Sequence, residues 1–281
     1  MGDKSKQEQE INSSGTAVDM LAFCETVLNS KDVKAIWDLH CREMARFGFD
    51  RLIYGFTSFR TEKHYGDLSD MLILSNHSQK YLDEFLTSGL FRHAPMVRWA
   101  NTHEGAMSWR IVAQRVRQQE LTSEEIAVLD LNNRYGIRSG YSIGFGDPSS
   151  RARGGMGLVG RDGMSQDEVD RIWHENEREL MAMNTLVHLR ISTMPFATTR
   201  RALTDRQREV LEWVADGKTT ADIALIMGLT TSTVEKHLRL AREALDVETT
   251  AQAVMKASVQ KHIFMTAPPY KSEVLTQCSF P

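Results

Sequence analysis

The chain has 281 residues with a formal net charge of −3, and 41% of them are hydrophobic against 25% charged. That length holds two ordinary domains, and that composition excludes a disordered or fibrous chain. The slight acidity excludes a broadly basic nucleic-acid coat but not a small basic reading head within an acidic whole. Residues 1–15, MGDKSKQEQEINSSG, are polar, mixed in charge and without the apolar stretch of a secretory signal, so they read as a disordered tail. Gly2 is not followed by the Ser or Thr at the sixth position that a myristoylation site carries.

From residue 16 to 194 the hydrophobic period switches repeatedly. AVDMLAFCETVL and VKAIWDLHCREMARF have helical spacing, with Val18, Leu21 and Leu28 recurring on one face. RLIYGFTSF, DMLILSN, GYSIGFG and GMGLVG read as strands. SQKYLDEFLTSG and LTSEEIAVLDLNNRYG read as helices, the second opened by the capping box Thr122-x-x-Glu125. A long helix from Gln166 to Ile191 turns Val169, Ile172, Trp173, Leu180 and Val187 inward. The order predicts an α+β chain whose first part is an α/β/α sandwich around one sheet.

Residues 195–202 read as a linker, since Pro195 lacks an N–H and constrains its predecessor. Residues 203–265 read as all-α. TDRQREVLEWVADG opens on the capping box Thr204-x-x-Gln207 and stops at Gly217, and TTADIALIMG stops at Gly228. Ser232-x-x-Glu235 is expected to cap STVEKHLRLAREAL, and TAQAVMKASVQKHI forms a fourth helix. Residues 266–281 are a tail with two consecutive prolines and no clear period.

Two short helices joined by a tight turn at Gly228 make a helix-turn-helix candidate. In the third helix Val234, Leu238, Ala241 and Leu245 form one apolar stripe, while Thr233, Lys236, Arg239 and Arg242 lie opposite. Small hydroxyl residues at a helix N-terminus suit phosphate, and Lys or Arg further along can reach base edges in a major groove. On pattern alone a solvated helix in an ordinary bundle explains this equally well.

LTDRQREVLEWVADGKTTADIALIMGLTTSTVEKHL resembles the DNA-binding domain of LuxR-type transcription regulators. The likeness is carried by Leu203-Thr204, Arg206, Glu209, Leu211, Trp213, Ala215, Gly217-Lys218-Thr219, Ile223-Ala224, Thr233-Val234 and His237. It implies a DNA-facing set of Lys218, Thr231, Ser232, Thr233, Glu235, Lys236, His237, Arg239 and Arg242, with Glu235 at a base-contacting position. It implies also a homodimer on an inverted-repeat, double-stranded operator, with RNA polymerase a further partner.

The region before it resembles the autoinducer-binding domain of the quorum-sensing branch of that family. The family's ligand positions fall here on His77, Tyr81, Phe85, Ala94, Pro95 and Trp109, and Tyr135-Gly136-Ile137-Arg138-Ser139-Gly140 matches a family turn. Only Pro95 and Trp109 keep the family's identity in the pocket set. The resemblance implies an acyl-homoserine lactone or related small signal, whose amide the family holds with an aspartate. Ala94 stands in that aspartate's place, and an unpaired buried amide N–H costs roughly 1–3 kcal/mol. The sensor region is therefore expected to hold a lactone by altered contacts, to hold a different signal, or to work without one.

Other motifs are weaker. Gly140-Tyr141-Ser142-Ile143-Gly144 spells a hydrolase nucleophile elbow, but a turn rather than a helix follows, so no catalytic residue is expected. GFGDPSSRARGGMGLVG lacks the endings of a phosphate loop and reads as a hairpin with Arg151 and Arg153 solvated. Cys24, Cys41 and Cys278 form no C-x-x-C pair and the histidines no H-x-x-x-H, so no metal or other cofactor is expected. With no apolar run of the ~18–20 residues needed for a span, no membrane contact is expected and cytoplasmic residence fits.

Overall fold

The computed structural model describes residues 19–60, 66–197, 202–265 and 270–271. The N-terminal tail, Val18, Cys278 and most of the C-terminal tail lie outside the described residues. The chain begins with α1 (Met20–Asn29) and α2 (Val33–Arg46), capped by the Asp19 and Asp32 carboxylates. Strand β1 (Phe49–Thr57) follows, then β2 (Leu72–Ser75). Helix α3 (Gln79–Leu82) continues into a π-helical turn at Asp83–Thr87. Next come α4 (Pro95–Thr102), β3 (Gly105–Ser108), α5 (Arg110–Arg117) and α6 (Ser123–Arg134). The hairpin of β4 (Gly140–Phe145) and β5 (Arg153–Gly160) leads to the long α7 (Gln166–Ser192).

The five strands form one antiparallel sheet in the order β2-β1-β5-β4-β3. Alternation along the strands gives the faces different chemistry. Leu52, Tyr54, Phe56, Tyr141, Ile143, Met156 and Leu158 pack with Trp37, Met44, Trp173, Leu180 and Val187 of α2 and α7. Burying each such side chain contributes about 1.5–3 kcal/mol. The other face presents Ile53, Ile73 and Val159 to Tyr81 of α3, Phe85 of the π-helical turn, and Val128 and Leu131 of α6. The result is an α/β/α sandwich.

After α7 the short strand β6 (Phe196–Ala197) precedes four helices, α8 (Asp205–Ala215), α9 (Thr220–Met227), α10 (Thr231–Leu245) and α11 (Thr250–Val259). They close on Val210, Leu211, Ile223, Val234, Leu238, Ala241 and Leu245, which includes the whole stripe read from the sequence. Gly217 and Gly228 stand at φ +81° and +64°, a conformation that ends a helix at little cost only for glycine. β7 (Tyr270–Lys271) pairs in parallel with β6.

The two regions are joined by polar contacts. Lys256 Nζ and Gln260 Nε2 of the C-terminal region donate to buried Asp70 at 2.9 and 3.0 Å. Lys261 Nζ donates to Ser192 O, and His262 Nε2 lies 3.0 Å from Phe196 O.

Several expectations are corrected. Leu21 and Leu28 are 82% and 56% exposed, because α1 buries Phe23 and Val27 instead. Thr230, not Ser232, caps α10, its hydroxyl accepting from Thr233 N, so the helix starts two residues earlier. Arg153 is not solvated: its guanidinium donates to Ala100 O and His103 O, the carbonyls at the end of α4. The long helix ends at Ser192, ahead of Pro195, and is broken at Asn176 (φ −124°, ψ 16°).

Buried histidines set the acid sensitivity of this fold. Burial lowers His40 and His188 from 6.5 to about 4, a hydrogen bond from His40 Nε2 to Asn184 Oδ1 opposing this at His40 and the Asp147 charge opposing it at His188. The folded state keeps both rings neutral while the unfolded chain takes up protons below 6.5, so stability is full above pH 6.5 and falls between 6.5 and 4. Urea unfolding at stepped pH should show that slope, and His40→Gln should flatten it. A stability independent of pH across the window would contradict the burial of these rings.

Candidate ligand cavity and helix-turn-helix face

Between the sheet and α3, α4 and α6 lies a cavity of about 500 Å³. It exists because the central strands carry almost no side chain on that face. Gly55, Gly155 and Gly157 form its floor beside Ser142, and a Cβ placed on Gly55 would meet no atom within 4 Å. Gly144 has a different task. Its missing Cβ would stand 2.1 Å from His103 O and 2.7 Å from Ala100 O, so the end of α4 rests directly on the strand.

All six sequence-derived pocket positions line this cavity: His77, Tyr81, Phe85, Ala94, Pro95 and Trp109. His77 precedes the Ser78 cap of α3 and stacks on Tyr81 at 4.8 Å, and Tyr81 stacks on Phe85 at 5.3 Å. The π-helical turn carries Phe85 into that column. Tyr81 Oη donates to Asn132 Oδ1 at 3.0 Å, and Trp109 Nε1 donates to Ser142 Oγ at 2.9 Å. Burial raises the Tyr81 hydroxyl far above its ordinary value, leaving it a neutral donor. His77 is lowered to about 3, first by burial and then by Arg51, so its ring is neutral. Its Nε2 is buried without a hydrogen-bond partner.

Sequence reasoning missed Asn132, Met71, Val112 and the glycine floor, and met Ser142 only as a hydrolase nucleophile. Ser142 stands in mid-strand, its hydroxyl accepting from Trp109. The floor's trace in the sequence is Gly155 and Gly157 alternating with Met156 and Leu158, a pattern that does not by itself distinguish a void from a close approach.

The second face lies on α9 and α10. Lys218, Thr231, Ser232, Glu235, Lys236 and Arg239 are exposed, and Thr233 and His237 are partly so. Thr230 Oγ1 lies 2.9 Å from Ser232 Oγ and 2.8 Å from Thr233 Oγ1, a hydroxyl cluster at the positive end of the helix. Glu235 accepts from Thr220 Oγ1 at 3.1 Å, and Arg239 pairs with Glu243 one turn on. Arg242 is turned toward α11, donating to Thr250 Oγ1 at 2.9 Å. Among the described residues no cluster of three or more His, Cys, Asp or Glu could hold a metal ion. Among them also, no helix is long and apolar enough to cross a membrane.

Residues 32–191 match the family described as autoinducer binding domain, and residues 201–257 match the bacterial regulatory proteins of the luxR family. The chain belongs to the LuxR-type autoinducer-binding regulators. A similar chain to this LuxR-type regulator is the transcriptional activator protein LuxR of Aliivibrio fischeri, 23% identical over 260 residues that cover 89% of this chain and 94% of that one. The quorum sensing-dependent regulator RpaR of Rhodopseudomonas palustris is 37% identical over 79 residues, 28% of this chain and 32% of its own. A solved structure, the N-acylhomoserine lactone dependent LuxR family factor CepR2 from Burkholderia cenocepacia, shares 20% identity at a TM-score of 0.47, covering 61% of this chain and 95% of that one. The family function of this LuxR-type regulator is quorum-sensing transcription regulation.

Proposed function

We propose that this LuxR-type regulator binds a small, apolar-tailed signal in the cavity over Gly55, and that occupancy governs its grip on a DNA operator. The observation that carries the reading is the convergence of all six pocket positions on one cavity of about 500 Å³, a size suited to a single small molecule. Residues 16–194 act as the sensor domain, 195–202 as the linker and 203–265 as the DNA-binding domain. Two copies bind an inverted repeat, so that operator symmetry mirrors protein symmetry. The reading places the regulator in the cytoplasm, with RNA polymerase as its downstream partner and no catalytic step of its own.

On the DNA side α10 enters the major groove. The hydroxyls of Thr231, Ser232 and Thr233 with Lys218 hold phosphates, while Glu235, Lys236, His237 and Arg239 face base edges. Arg242, held on Thr250, supports the helix and touches the backbone of the duplex. Arg239→Ala should lose about 1–3 kcal/mol on its preferred sequence and accept more bases at one operator position. Selection of duplexes from a randomised library, run with wild type and variant, tests this. Uniform weakening on every sequence would assign Arg239 to a phosphate instead. Wild type that selects no sequence at all would refute the reading.

A further inference from the structure

The outward face of α10 carries one charge whose sign is unfavourable toward a polyanion. Among the first ten residues of the helix Glu235 is the one acid, standing with Ser232, Lys236 and Arg239. It follows buried Val234 and is itself exposed, so it belongs to the solvent side of the bundle. Arg239 comes one turn later, at the spacing where a glutamate and a cation pair most readily. That pair does not form. Arg239 turns on to Glu243, and Glu235 Oε1 accepts from Thr220 Oγ1 of α9 at 3.1 Å. Among the described residues no cation neutralises Glu235, and the bond from Thr220 engages one of its two oxygens.

In a helix-turn-helix the first turns of the second helix meet base edges, while the first helix crosses the phosphates. A carboxylate set against phosphate is repelled on every sequence, so at this place it gains only by meeting a hydrogen-bond donor. The donors in a major groove are the amino groups of cytosine and adenine, whereas guanine O6 and N7, thymine O4 and adenine N7 all accept. On adenine the amino group stands beside N7, which repels the second carboxylate oxygen. Cytosine N4 has no such neighbour on its own major-groove edge.

We infer that Glu235 is a specificity residue, which requires cytosine at one position of each operator half-site and rejects guanine and thymine there. Thr220 is its positioning residue, holding one carboxylate oxygen so that the other meets the cytosine amino group. Attraction and rejection act together, because an acceptor in that place leaves two oxygens facing each other with no hydrogen between them. The preference for cytosine over guanine amounts to about tenfold or more. The inference rests on the reading that α10 enters the major groove, and goes beyond it by assigning a base to one side chain.

The test selects duplexes from a randomised library with purified full-length wild type, Glu235→Gln and Thr220→Val, each with and without N-acyl homoserine lactones. Wild type should recover cytosine at one position of each half-site. Glutamine keeps the size of the side chain and an oxygen for Thr220, but it adds an amide N–H₂ and so matches adenine N6 and N7. The Glu235→Gln selection should therefore replace that cytosine by adenine and leave every other position unchanged. Thr220→Val should keep cytosine with a weaker preference. A Glu235→Gln selection identical to wild type, or one with no sequence preference at all, overturns the base assignment and leaves α10 a DNA-reading helix. A Thr220→Val protein with the full wild-type preference overturns the positioning role. Wild type that selects no sequence in either condition overturns the major-groove reading itself.

Discussion

Gly55→Leu should weaken binding of the proposed signal by about a hundredfold or more while the protein keeps its thermal unfolding transition. The asymmetry follows from what surrounds the position. No atom lies within 4 Å of where a Cβ would stand, so the new side chain enters empty space rather than a packed core. The backbone there is ordinary strand, paired to Ile73 on one side and Gly155 on the other, so leucine fits the conformation better than glycine does. The space it takes is the space a tail would occupy. Gly144→Ala is the informative contrast. One methyl there strikes the carbonyls of Ala100 and His103, which are backbone and cannot turn aside. That variant should lose about 1–3 kcal/mol of stability or more. Scanning calorimetry with ligand titration on both variants separates the two effects. A Gly55→Leu protein that still binds its ligand at wild-type strength would show that the guest lies elsewhere.

The contact at Asp70 carries the other large effect. Its side chain is 7% exposed, that of Lys256 is 10%, and Gln260 Nε2 donates to the other oxygen of Asp70. Removing one member of such a pair leaves a buried charge unmatched, at a cost of about 3–5 kcal/mol. Asp70→Ala is therefore expected to uncouple the two regions, splitting one calorimetric transition into two. Asp70→Leu combined with Lys256→Met should recover most of the loss, since well-packed apolar pairs often replace buried ion pairs at little cost. An Asp70→Ala protein with an unaltered melting profile would mean that the pair contributes nothing to docking. The position matters for function as well. Asp70 directly precedes Met71, which lines the cavity, so a guest pressing on Met71 acts one residue from the contact with α11.

The sequence announced some of this architecture and concealed the rest for identifiable reasons. Helices with capping boxes were readable to within a residue or two: Thr122, Thr204 and the closing glycines Gly217 and Gly228 stand where their chemistry requires. The stripe on α10 was equally plain, because a period of 3.6 has one meaning when polar residues fill the gaps. α1 misled because its apolar residues outnumber one face, and only tertiary packing chose Phe23 and Val27 over Leu21 and Leu28. β3 escaped because four residues, GAMS, hold no recognisable alternation and owe their extension to pairing with β4. The pairing of Phe196–Ala197 with Tyr270–Lys271 joins segments far apart in sequence, and no local signal marks it. The cavity's rim was legible through spacing. Its floor was not, since glycine in a strand announces either a bulge or a close approach, and only the fold shows that here it leaves a void.

The most direct test of a signal-governed DNA regulator is one affinity measured twice. A duplex selected from a randomised library is titrated with full-length protein, first stripped of ligand and then saturated with the best acyl ligand found by calorimetry. The account predicts a two-fold symmetric duplex whose affinity changes at least about tenfold between the two states, a coupling of roughly 1.4 kcal/mol, with the change abolished in Gly55→Leu. An affinity that stays the same with the cavity demonstrably filled would contradict it.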